Sequence, residues 1–155
     1  MSITLAPGQN LAATLAKLET ALLSPVVAGE LSTWTHTVQE AAATLAVDLA
    51  SYLRMVLHVE YEEIGRTDPE MSAQVEKLIR NDRQLLEQMA CFHEELHALS
   101  DAADHVKKNE GKLAEQRQRV EQAGIALILN IKKQETAATT WLAEAHFRDR
   151  GVAAD

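Results

Sequence analysis

Eight positions between Val75 and Leu99 follow a strict alternation of three and four residues. They are Val75, Leu78, Asp82, Leu85, Met89, Phe92, Leu96 and Leu99. That spacing puts all eight side chains on one face of a single long helix. A stripe of this length must be covered by other helices, so it commits the chain to a helix-on-helix architecture. Seven of the eight residues are apolar and Asp82 is not. A carboxylate in a core position has to be paired, protonated or bound to a cation, because an unpaired buried charge costs several kcal/mol.

The rest of the chain supplies the covering helices. Leu11, Leu15, Leu18 and Leu22 give a one-sided stripe over about residues 9–23. Ser24 and Pro25 stop it, and Gly29 falls in the loop. A second helix is predicted over about 31–64, with Leu45, Leu49, Tyr52, Leu53, Val56 and Leu57 facing inward. It holds neither glycine nor proline and is long for a globular protein, so a kink is expected in it. Gly65 to Pro69 reads as a turn, with Asp68 as cap and Pro69 at the first position of the next helix. The third helix covers about 69–106 and carries the opening stripe. Lys107 to Gly111 is the next turn. The fourth helix covers about 112–148, with Val120, Ala123, Leu127, Ile131, Gln134, Ala138, Trp141 and Ala145 at matching spacing. Gly151 is expected to end it and to leave the last residues loose. These elements predict one all-α domain over 1–155, an up-down-up-down four-helix bundle.

Composition agrees with helix and narrows the partners. Aromatic residues are 4% of the 155, hydrophobic residues 46% and charged residues 25%. The net charge of −8 argues against nucleic acid and anionic membrane as partners. Cys91 is the one cysteine, so no internal disulfide forms, and it reads as a small buried or half-buried residue beside Phe92. The first residues carry no signal-peptide pattern, and no run of 18 apolar residues is present. A cytoplasmic protein is expected.

The fourth stripe is also broken once by a strongly polar residue, Gln134. Asp82 and Gln134 are equidistant from residue 108, inside the predicted turn between their helices. In an antiparallel hairpin two such residues stand at one level. The same geometry around the preceding turn brings Tyr52 alongside. A phenol, a carboxylate and a carboxamide satisfy one another without a metal. Two readings follow: a polar layer that sets helix register, or the remnant of a ligand cluster.

The order of residues along the chain resembles a known family. Leu18, Leu22, Pro25 and Trp34 come first. Leu53, His58, Val59, Glu60, Tyr61, Glu62, Glu63, Gly65, Pro69, Val75, Leu78, Asp82, Leu85 and Leu86 follow. The chain closes on Gln134, Glu135, Trp141, Leu142, Glu144, Ala145, Asp149, Gly151 and Asp155. The series is similar to bacterial hemerythrin-like (HHE cation-binding) domains over nearly the whole length. That resemblance implies a bundle holding a non-haem di-iron centre with His and carboxylate ligands, able to bind oxygen or to sense oxygen or iron. Carried over residue by residue, the second-helix His and Glu ligands fall on His58 and Glu62. The third-helix histidine falls on Asp82, and the fourth-helix pair on Gln134 and Ala138. The first-helix histidine is expected near Leu11. His58, Glu62 and Asp82 are therefore the candidate metal residues, and the other ligand positions are substituted. At 100° per residue, His58 and Glu62 project away from the Leu49–Val56 face, as an exposed i,i+4 pair does.

Other constellations are weaker. His93 and His97 stand at i,i+4 with His36 near their level, which is a conceivable metal cluster. His146 lies near the end of the last helix, where a cation suits the helix dipole. No nucleophile, base and oxyanion set can be assembled, so no catalytic residue is named. Three functions are carried forward. The first is a non-enzymatic binding or interaction module on a bundle without cofactor. The second is an iron or other divalent-cation protein with an altered site. The third is an oligomerisation unit that forms a homodimer through its long helices, its protein partner otherwise unknown.

Overall fold

The computed structural model describes residues 7–105 and 110–154. It is an all-α four-helix bundle, with no strand among the described residues. Helix α1 is Pro7–Leu23, and α2 runs over Leu31–Thr67. A 3-10 turn, Pro69–Met71, leads into α3, Ser72–His105. A second 3-10 turn, Glu110–Leu113, leads into α4, Ala114–Ala154. The predicted turn residues Lys107, Lys108 and Asn109 lie outside the described residues.

All eight positions of the α3 stripe are buried, and their apolar members join one continuous core with the other three helices. α1 packs on α2 and on α4, and α3 packs on α2 and α4. Cross-helix bonds fix the register. Gln134 donates to Asp82 at 2.9 Å and Asn130 to Gln88 at 3.0 Å, so α3 and α4 run antiparallel. Ser100 donates to Gln39 at 3.2 Å and Ser32 donates to Asp104, which sets α2 against α3 in the same sense.

Local chemistry explains most of the helix boundaries. Gly29 takes φ +88, a conformation open to glycine, and turns the chain from α1 into α2. Asp68 accepts from the Glu70 backbone N–H at 3.2 Å with Pro69 beside it, the cap expected from sequence. The start of α2 has no side-chain cap of its own. The Glu110 carboxylate supplies one from the far turn, accepting from Gly29 N–H at 2.7 Å and Leu31 N–H at 3.3 Å. A carboxylate there satisfies orphan donors and complements the helix dipole.

Three expectations are corrected. Gly151 does not end α4, which continues through it to Ala154, and so the last residues up to Ala154 are helical. Glycine stops a helix where it takes positive φ, and among the described residues only Gly29 does. Gly65 likewise lies inside α2. Cys91 is exposed, because it is one step of about 100° off the inward-facing Phe92. By length and composition α2 is also long and apolar enough to cross a membrane, with mean hydropathy 1.3 over 18 of its residues, a test that the core helix of a bundle passes as well. In the bundle it gives Leu45, Leu49, Leu53 and Leu57 to the core.

The expected irregularity in α2 is a π turn at Leu53–Leu57, with the helix continuous on both sides. A π turn takes up one extra residue. Before it the buried face reads Val38, Ala42, Leu45, Leu49 and Leu53; after it the face reads Leu57, Tyr61 and Ile64. An unbroken α-helical count from Leu49 and Tyr52 favours Val56, Glu60 and Glu63 instead. The extra residue thus turns two acids outward and Tyr61 inward.

α1 approaches α4 closely at Gly124. A β-carbon there meets Leu22 Cδ1 at 2.6 Å and Phe92 Cε2 at 3.0 Å. Gly124→Ala is expected to lower stability by about 1 kcal/mol, since overpacking of ~1–3 kcal/mol outweighs ~1 kcal/mol of helix propensity. Urea denaturation measures it. A rise in stability shows that Leu22 yields freely.

Candidate functional site

The two polar residues that interrupt the core stripes meet at one level of the bundle. Asp82 and Gln134 are each 8% exposed. The Gln134 amide nitrogen donates to Asp82 Oδ1 at 2.9 Å and to the Leu78 carbonyl at 3.3 Å. Both amide protons are therefore used on α3. Burial pushes the Asp82 carboxyl up from 3.8 to about 6; the bond from Gln134, the Tyr61 hydroxyl and the charge of His58 pull the other way.

Two tyrosines of α2 complete the layer. Tyr52, expected at this level, is buried, and its phenol is pushed up to about 12 by burial and by the charges of Glu135 and Asp82. Tyr61 was not legible as a member. It is fully buried and packs edge-on against Trp141, with centroids 6.0 Å apart and rings at 72°. Burial, then the neighbouring Asp82 charge, raises its phenol well above the usual range. Its hydroxyl interacts with Asp82 but falls short of standard hydrogen-bond geometry, and so does the buried Trp141 indole N–H toward any acceptor. Two effects hide Tyr61 in the sequence. The π turn moves it onto the inner face, and helical side chains lean toward the N-terminus of their helix, about one turn back. The available signal is its place four residues after Leu57.

The candidate metal residues divide into an inside and an outside. His58 Nε2 lies 3.5 Å from Glu62 Oε1, with side chains 50% and 73% exposed. This is the exposed i,i+4 pair that helix geometry predicts. Ala138 and Leu11 are fully buried and carry no donor atom. A di-iron centre needs several carboxylates and imidazoles converging in the core. Here the one buried carboxylate among the described residues is Asp82, no imidazole joins it, and Gln134 spends its amide nitrogen on the protein. Among the described residues no group of three or more His, Cys, Asp or Glu side chains is placed to hold a metal ion. The residues present do not fit the centre that the resemblance implies.

The second histidine constellation does not converge either. His36 pairs with Asp104 at 3.5 Å and His97 with Asp101 at 3.5 Å. His93 is half-buried, which lowers its pKa, and its ring lies against Phe92. His146 lies 3.8 Å from Glu60, tying the end of α4 to α2.

Surface clefts reach the polar layer from two helix pairs. Between α2 and α3, a cleft of about 320 Å³ has Asp82 in its wall, beside Arg54, His58 and Arg83. Between α3 and α4, a groove of about 440 Å³ reaches Gln134 and is lined by Asn81, Gln84, Gln88 and Asn130.

Comparison with known proteins returns nothing: no family model, no curated protein and no solved structure matches this chain.

Proposed function

We propose that this chain is a hemerythrin-like, up-down-up-down four-helix bundle that has exchanged its di-iron site for a hydrogen-bonded polar layer. It acts as a non-enzymatic binding module. One observation carries the reading: Gln134 bonds to Asp82 at 2.9 Å inside the core. Both stand at positions where the family resemblance places metal ligands. A carboxamide that gives both its protons to α3 anchors the carboxylate as a cation otherwise would. The exposure of His58 and Glu62 and the apolar Ala138 support the same conclusion. The polar layer then sets which level of α3 faces which level of α4, a role best attested for single buried polar residues in helix bundles.

Protein expressed with iron supplied and purified without chelator is expected to carry iron far below one atom per chain. It is also expected to show no visible absorption band. Elemental analysis and a spectrum check both. About two tightly held iron atoms per chain, the load of a di-iron carboxylate bundle, sinks the reading.

A further inference from the structure

The cleft between α2 and α3 brings two exposed arginines beside an apolar wall. Its apolar wall is Ala50, Leu53, Ile79 and Leu86, and its polar groups are Asp82, Arg54, Arg83 and His58. Two features of the cleft bear on what it can bind. Leu53 and Arg54 belong to the π turn and His58 follows it directly. Such turns recur at functional sites because the inserted residue re-aims the side chains around it. The second observation is electrostatic. The chain carries 23 acidic residues against 15 lysines and arginines. Arg54 and Arg83 line the cleft and, like most lysines and arginines among the described residues, make no ion pair, so their charge is open to a ligand.

We propose that this cleft binds a small amphipathic carboxylate, with its head group on Arg54 and Arg83 and its hydrocarbon chain along Leu53, Ile79 and Leu86. A guanidinium presents a planar fork of donors that matches a carboxylate. The apolar wall suits a hydrocarbon chain, and a cleft of about 320 Å³ is of small-ligand size. Asp82 shares the cleft, so a dianion such as phosphate meets more repulsion than a monoanion does. An uncharged alcohol of the same length offers the arginines one weak acceptor and no opposite charge.

The proposal rests on the metal-free reading, because a cation held at Asp82 changes the charge of the cleft. Octanoate is the probe, titrated into isotope-labelled full-length chain and followed by amide shifts and calorimetry. Shifts are expected over residues 50–58 and 79–86. The exposed double variant Arg54→Gln/Arg83→Gln is expected to bind octanoate about tenfold or more weakly, the loss of charge-assisted hydrogen bonds. Octanol and inorganic phosphate are expected to bind more weakly than octanoate to the unaltered protein. Absence of octanoate binding, equal affinity in the double variant, or octanol or phosphate matching octanoate overturns the proposal. Iron analysis of the same preparation separates the two readings. Bound iron together with an octanoate response at the cleft sinks the metal-free reading alone. Absent iron with no octanoate response sinks this proposal alone.

Discussion

Gln134→Leu, with Asp82 kept, lowers stability by about 2–3 kcal/mol at neutral pH, the cost of leaving a buried carboxylate without its charge-assisted bond. The leucine fills the space of the glutamine side chain but offers Asp82 no donor. Asp82→Leu alone costs less, because the Gln134 amide keeps the Leu78 carbonyl as acceptor. The double variant Asp82→Leu/Gln134→Leu returns to wild-type stability or exceeds it, since buried polar pairs replaced together by apolar residues of similar volume often gain ~1–4 kcal/mol. Urea titration of all four proteins closes the cycle and isolates the pairwise term. If Gln134→Leu costs nothing, the 2.9 Å bond is not holding a charged Asp82. If the losses simply add in the double variant, the two residues are not coupled.

The second expectation concerns pH. The folded-state pKa of Asp82 stands at about 6, above the ordinary 3.8. Between those values the folded protein holds a proton that the unfolded chain has released. Acidification through that window therefore stabilises the fold, and stability falls as pH rises from about 4 to about 6. A gap of two units corresponds to roughly 3 kcal/mol. Asp82→Asn removes the titration while keeping the shape, and the other carboxylates titrate alike in both proteins. The stability of wild type minus that of Asp82→Asn is thus expected to grow as pH drops from 7 to 4. A difference that stays flat over that range shows that burial does not hold the carboxyl neutral.

Much of the fold was legible because it rests on periodicity. The alternation from Val75 to Leu99 was enough to place all eight side chains inside. The equal distance of Asp82 and Gln134 from residue 108 was enough to predict that they meet. Asp68 and Pro69 carried the start of α3 in their own chemistry. The outward projection of His58 and Glu62 also followed from the helix angle, and their 3.5 Å pair matches it.

What was illegible depends on partners far away in sequence. Glu110 caps α2 from a distance of about 80 residues, and no local pattern announces it. Gly124 reads as an ordinary helical glycine until Leu22 and Phe92 are seen against it. The π turn is decided by which face of α2 must meet α3 and α4, since the local residues favour a plain α-helix. Tyr61 joins the polar layer as a consequence of that turn.

The sequence by itself determined helix content, the bundle, the register of α3 against α4, and the identity of two polar core residues. Those follow from repeating local chemistry: the spacing of apolar side chains, caps and breakers. Only the tertiary structure decided that Gln134 gives both amide protons to α3, that Tyr61 outranks Tyr52 beside Asp82, and that Arg54 and Arg83 share a cleft with them. The second and third follow from one extra residue in one turn of α2. Periodicity averages over such an insertion, whereas the packing of the neighbouring helices selects Leu57, Tyr61 and Ile64 as the inner face that follows it.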